Sequence, residues 1–127
     1  MNILTSIDIE NAIREALSDK FTIYCRPLPA NFKMPCILVT AVGGRETDTI
    51  STFLVSIDAR SKDTEECYDY IRKAVGAIIA SANADGVKYN RASVNSLAKW
   101  GNDPARPDIK LCTATLEVIA HKQTITI

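Results

Sequence analysis

Hydrophobic positions recur with the spacing of an α-helix in two segments, Ile7 to Leu17 and Cys67 to Ala82. In the first, apolar residues fall at i, i+3, i+4, i+7 and i+8, which places them along one stripe of a helix. Ser61, followed by acidic residues, is a typical first cap for the second helix. Gly76 lies in the middle of that helix, where either close approach of another backbone or simple tolerance would explain it.

Alternation of apolar and polar residues predicts strands in much of the remaining chain. The run from Cys36 to Val39 is continuously apolar, which suggests a central strand covered on both faces. The segment from Val87 to Leu97 is more polar, which fits a sheet edge or a subunit contact. Three further strands are predicted at Phe21 to Cys25, Thr52 to Arg60 and Cys112 to Ala120.

Polar segments join these elements. Gly43 and Gly44 permit positive φ or a sharp turn, and the charged stretch from Arg45 to Thr49 is predicted to be an exposed, mobile loop. A second loop is predicted from Lys99 to Pro107, and a short tail from Lys122 to Ile127.

The predicted order of elements is α-β-β-β-α-β-β, in a single domain that covers residues 1–127. Runs of adjacent strands, rather than regular βαβ alternation, indicate an α+β fold. We therefore expect a mostly antiparallel sheet of four to five strands with both helices packed on one face.

Composition narrows the classes of partner. Lysine plus arginine equals aspartate plus glutamate at 15 each, so no basic field favours nucleic-acid or membrane binding. No apolar run approaches the length of a membrane span, and the first residues lack the pattern of a signal peptide, which predicts synthesis in the cytoplasm. The four cysteines lack metal-binding spacing and are interpreted as small buried hydrophobic residues.

No motif for nucleophilic, metal-dependent or nucleotide chemistry is present. Asp58 and Asp63 could be read as paired carboxylates, but their positions fit an exposed strand residue and a helix first turn better. His121 falls on the exposed side of the last strand. The sequence therefore predicts neither an enzyme nor a metal or cofactor site.

Trp100 lies near Asn102, Asp103 and Arg106 in the second predicted loop. Trp and Arg are enriched at interface hot spots, so this loop is a candidate partner anchor. A Trp that folds back to cap the edge of the core explains the pattern equally well.

The order of these segments resembles the tail terminator proteins of long-tailed bacteriophages. In that family a strand ending in Gly-Gly precedes a variable charged loop, a strand ending in Asp-Ala and a helix that begins with acidic residues. A loop with Asp-Pro and Arg-Pro then leads to a last strand of alternating apolar residues. The resemblance extends over about residues 5 to 121 and departs at Lys110 to Cys112, where the family often has an aromatic residue. The matching segments here are Pro35 to Gly44, Val55 to Ala59, Thr64-Glu65-Glu66, Gly86-Val87, Asp103-Pro104, Arg106-Pro107 and Thr113 to Ala120.

This resemblance implies a structural virion protein, made in the bacterial host cytoplasm and located at the head–tail junction. Six copies would form a ring on the head-proximal end of the tail tube, stop tube growth and present a surface to the head-completion protein. The partners would be copies of itself, the tail-tube protein and the head-completion protein, with no nucleic-acid readout and no membrane. The implied interface residues, among which the charged ones should be exposed, are Gly43, Gly44, Arg45, Glu46, Asp48, Trp100, Asp103 and Arg106.

Two alternatives remain open from the sequence. One is another neck or head–tail connector protein of similar size and fold. The other is a small-molecule-binding α+β domain, which would need a concave pocket with convergent polar groups.

Overall fold

The computed structural model describes all 127 residues and contains two helices and seven strands. The α+β class is confirmed, and the inner elements follow the predicted order. One further strand lies at each end of the chain. The elements are β1 (Asn2–Thr5), α1 (Ile9–Leu17), β2 (Ile23–Cys25), β3 (Cys36–Glu46), β4 (Ile50–Ser61), α2 (Thr64–Ser81), β5 (Arg91–Asn102), β6 (Lys110–His121) and β7 (Gln123–Thr126).

Five strands form the main sheet in the order β2-β3-β4-β6-β5. Only the β2–β3 pair is parallel, so the predicted mostly antiparallel sheet is confirmed. β4 and β6 pair along their whole length, from Ile50 opposite His121 to Ser61 opposite Lys110. β5 lies at the edge, as its polar pattern suggested, although it begins at Arg91 rather than Val87.

Each helix is capped at its N-terminus by the aspartate that precedes its first residue. The carboxylate of Asp8 accepts from the amide of Asn11, and that of Asp63 accepts from the amide of Glu66 at 2.9 Å. The prediction that Ser61 caps α2 is wrong, because Ser61 is the last residue of β4. Its hydroxyl donates to the Glu66 carboxylate instead. Neither helix has the length and apolar character that crossing a membrane requires.

The core lies between the helices and one face of the sheet, in a single cluster of 22 buried residues. Alternate residues of β4 and β6 supply much of it, because successive side chains of a strand point to opposite faces. Three of the four cysteines are buried and Cys25 is half-buried. Burial raises the pKa of the Cys36 and Cys67 thiols to about 11. These three cysteines therefore behave as the sequence predicted.

β1 and β7 form a separate two-stranded antiparallel ribbon, in which Ile3 lies opposite Ile125. Met1 and Ile127 extend it through hydrogen bonds between their backbones. The prediction that residues 122–127 form a tail was therefore wrong, because most of this segment is a strand.

Candidate interaction surfaces

The exposed apolar side chains are concentrated in two places. Ten large hydrophobic side chains are exposed, and eight of these belong to two surfaces that share no residue. The α2–β5 surface comprises Tyr68, Val94, Leu97 and Trp100. The β1–β7 ribbon contributes Met1, Ile125 and Ile127 on one face and Leu4 on the other.

The α2–β5 surface contains an open apolar groove of about 370 Å³ between the helix and the edge strand. Register shifts on both sides of Ser96 interrupt the pairing of β5 with β6. Such irregularities bend a strand and change where its side chains point, and Leu97 is 82% exposed here. Gly76 also lines the groove, and a Cβ added to it would meet no atom within 4 Å. No other backbone of this chain therefore approaches Gly76, and its missing side chain leaves the groove open.

Aromatic stacking extends this surface beyond the groove. The rings of Trp100 and Tyr68 stack with their centroids 5.6 Å apart, and the Arg72 guanidinium lies 5.4 Å from the Tyr68 ring centroid. Trp100 belongs to β5 and not to a loop, because this strand continues to Asn102. Half of its surface is exposed, so Trp100 forms part of an accessible surface and does not close off the core.

The β1–β7 ribbon makes little contact with the other helices and strands. Strand alternation places Ile3 and Ile125 on the same face, together with Met1 and Ile127. The strands contain no charged side chain. Apart from the Met1 ammonium at its end, the ribbon is a small projection that has no charged side chain and has one apolar face.

Glu46 holds the base of the ribbon against the main sheet. Its carboxylate accepts from the hydroxyl of Ser6 at 2.6 Å and lies 3.5 Å from the ammonium of Lys122. The Ser6 hydrogen bond and the Lys122 charge lower the pKa of Glu46. The backbone amide of Lys122 also donates to the carbonyl of Thr49 at 2.8 Å. Glu46 is exposed, as predicted, but it also has a structural role inside the subunit.

The predicted loop from Arg45 to Thr49 is mainly a tight strand connection. β3 continues through Gly43 and Gly44, both at positive φ, to Glu46, with an irregularity in pairing after Ala41. The amide of Thr47 donates to the carbonyl of Ile50 and closes the turn. Arg45 and Asp48 are exposed as predicted, and neither forms an ion pair.

Asp103 is not the exposed interface residue that the sequence suggested. It is 8% exposed and forms a 3.0 Å ion pair with Nε of Arg60. The other carboxylate oxygen of Asp103 accepts from the amide of Ala105. Arg106 is exposed as predicted, with Nε 3.6 Å from the carboxylate of Asp108.

The predicted interface residues do not form one site. Gly43 to Asp48 lie near the start of β4, where Gly44 pairs with Phe53, whereas Asp103 lies near its end at Arg60. Trp100 belongs to the α2–β5 surface. Sequence reasoning missed Tyr68, because it fits the apolar stripe of α2. It also missed the ribbon, whose alternating Ile125 and Ile127 were the available signal.

The residues weighed for catalysis have separate roles. The Asp58 carboxylate accepts from the hydroxyls of Ser56 and Thr113, and Asp63 caps α2. His121 is exposed, with Nδ1 3.0 Å from the side-chain oxygen of Asn90. No group of three His, Cys, Asp or Glu residues has an arrangement suited to a metal ion.

No protein-family model matches this sequence, and no curated protein is significantly similar to it.

Proposed function

We propose that this protein is a structural virion component that forms a six-membered ring on the head-proximal end of a phage tail tube. The ring ends polymerisation of the tube and provides the surface for head attachment. The observation that carries this proposal is the exposed apolar surface along the edge strand β5, on a chain whose motif order resembles tail terminator proteins.

The α2–β5 surface has the properties of a protein contact. Clustered apolar side chains on a protein surface commonly mark interaction sites, and a sheet edge offers unpaired backbone groups. Tyr and Trp are also enriched among residues that dominate binding energy. Tyr68 and Trp100 stack on each other, so their exposed area is already ordered before any partner binds.

The turn between β3 and β4 is the candidate contact with the tube. It presents the unpaired charges of Arg45 and Asp48 on a hairpin tied to the sheet. We propose that the side chains of Arg45 and Asp48 become buried against the tube on assembly, while Arg106 contributes from a separate exposed segment. A head–tail connector would use similar surfaces, so control of tube length distinguishes the two functions.

A small-molecule site has weaker support. The groove volume is within the usual range for ligands, but its polar groups are few and already engaged. Arg72 pairs with Asp69 at 3.3 Å, and the Ser96 hydroxyl bonds to that of Thr115 at 2.7 Å. Few free polar groups remain to orient a ligand.

Electron microscopy of the purified protein, alone and with the tube subunit of the same phage, tests the proposal. We expect six-fold rings, or tubes of limited length with a ring at one end. Rings that leave tube length unchanged would indicate a connector instead. Unrestricted tubes with neither rings nor caps would exclude a ring-forming terminator.

Charge reversal at the proposed contacts should separate assembly from folding. Arg45→Glu or Arg106→Glu should reduce capped tubes by about tenfold, because each places a repulsive charge at an interface without removing a buried contact. The free energy of unfolding, measured by thermal denaturation, should stay within about 0.5 kcal/mol of the wild-type value. Lys20→Glu, on the exposed turn after α1, is the matched control. Normal capping by both arginine variants would exclude these residues from the interface.

A further inference from the structure

We propose that the β1–β7 ribbon of one subunit docks into the α2–β5 groove of the next copy. This contact rests on the proposed ring, and it specifies which surfaces join neighbouring subunits. It is a head-to-tail contact, in which each copy gives its ribbon to one neighbour and receives a ribbon from the other.

The ribbon needs a surface to pack against. An isolated two-stranded hairpin or ribbon is at best marginally stable in water, because it has no second layer to cover its apolar side chains. Here Glu46, Ser6 and Lys122 fix the base, but the strands beyond it have little packing from their own subunit. Ile127 is 72% exposed and Ile125 is 37% exposed. A partner that covered these residues would supply the missing layer.

The groove matches the ribbon in chemistry. Seven of the ten residues that line it are hydrophobic, and Arg72, its only charged residue, is already paired with Asp69. The ribbon strands contain no charged side chain. The Met1 ammonium at the end of the ribbon already donates to the carbonyl of Ile127 at 2.9 Å. Docking along the strands therefore requires no charged side chain without a partner to lose its water, which is the largest cost of burying a polar surface.

Both surfaces occur once on every subunit, and no ribbon residue lines the groove of its own subunit. Two different surfaces that bind each other give a heterologous contact, which propagates from copy to copy until a ring closes. A second copy of this chain is therefore the occupant that accounts for both exposed surfaces at once.

Two aspartate substitutions test each side of the contact. Ile125→Asp places a charge on the apolar face of the ribbon, and Leu97→Asp places one on the highly exposed residue of the groove. Each variant alone should need about a hundredfold higher concentration to form rings, because the carboxylate would be buried without a partner. Thr124→Asp, on the other face of the ribbon, and Asn95→Asp, on β5 outside the groove lining, add the same charge and should form rings normally.

Mixing the two variants gives the sharper result. The Ile125→Asp protein retains an intact groove, and the Leu97→Asp protein retains an intact ribbon. One normal contact can then form between them, and it cannot propagate. Sedimentation of an equal mixture should show dimers at concentrations where each variant alone is monomeric and the wild type forms rings. Monomers only, or full rings, in the mixture would overturn the proposal.

A steric variant removes any effect of added charge. Gly76→Leu fills the groove with an apolar side chain at a position where a Cβ has free space. This variant should also fail to form rings, while its unfolding temperature stays that of the wild type. Mixed with the Leu97→Asp variant, it could form dimers only if neither groove were needed for the contact. We expect no such dimers, because both grooves are then blocked, whereas dimers would overturn the proposal.

The same experiments separate this inference from the proposed function. If the wild type forms rings and the ribbon and groove variants form them equally well, the ring proposal stands and the contact proposed here is wrong. If the wild type forms no ring, either alone or on tubes, both proposals fail.

Discussion

Replacing Asp103 with alanine should lower the free energy of unfolding by about 3 kcal/mol, because it leaves the Arg60 charge buried without its partner. Both side chains of this pair are only 11% exposed, and Nη1 of Arg60 already has no hydrogen-bond partner. Urea unfolding of the purified variant measures the loss. Asp108→Ala, an exposed acidic residue in the same segment, is the matched control and should change stability by less than about 0.5 kcal/mol.

A second substitution identifies the cause. Arg60→Met combined with Asp103→Ala removes the buried charge as well as its partner, and should be more stable than Asp103→Ala alone. If the double variant were less stable than the single one by the full effect of Arg60→Met, the two residues would be energetically independent. That result would contradict a coupled ion pair.

Acid should weaken the same pair. Burial alone would raise the pKa of Asp103, but the hydrogen bonds from Arg60 and the Ala105 amide outweigh it and hold the pKa below its usual value of 3.8. A lowered folded-state pKa means that the pair contributes stability above pH 3.8 and loses it as the pH falls through the folded-state value. The Asp103→Ala variant should therefore show a smaller loss of stability in this acid range than the wild type.

Replacing Gly44 with alanine should also lower the free energy of unfolding by about 3 kcal/mol. Gly44 has φ of +140°, and a Cβ at this position would overlap the backbone carbonyl oxygen of Thr52 on the paired strand. The added carbon therefore strains its own backbone and forces β3 and β4 apart. Denaturant unfolding measures the total cost, and hydrogen exchange at Thr52 and Phe53 reports the separation of the strands.

Gly43→Ala is the matched control for the overlap. Gly43 also has positive φ, but a Cβ there would meet no atom within 4 Å. Only the backbone strain should remain, at about 1–2 kcal/mol. If Gly43→Ala and Gly44→Ala lowered the free energy of unfolding equally, the overlap with the Thr52 carbonyl would make no contribution.

The sequence predicted elements whose burial follows a simple period. β6 was correctly located because Cys112, Ala114, Leu116 and Val118 face the core while the residues that alternate with them do not. The positive φ expected at Gly43 and Gly44 is also confirmed, but these residues permit an irregular strand rather than a turn. The glycines in the sequence indicate that the backbone can adopt positive φ here, and pairing with β4 determines which conformation forms.

Features that depend on distant partners could not be predicted. β1 and β7 are only four residues long and lie at opposite ends of the chain, so neither shows a strong pattern alone. Asp103 was expected to be exposed because charged loop residues usually are. It is buried instead, because it forms an ion pair with Arg60, 43 positions earlier in the sequence. Leu97 became part of a candidate site because strand irregularities expose it, and such irregularities have no sequence period.

The position of β6 between β4 and β5 has a consequence for the order of folding. During synthesis β4 leaves the ribosome well before β6, the strand that pairs along its full length, because α2 and β5 lie between them in the chain. Pairing between strands that are far apart in sequence is slow, and unpaired apolar strands are prone to aggregation. A ribosome stalled before Lys110 should therefore carry a chain whose β3 and β4 are still accessible to chaperones. Release of β6 would complete the five-stranded sheet and create the edge at β5 in one step, so subunits should become competent for assembly only after β6 has left the ribosome.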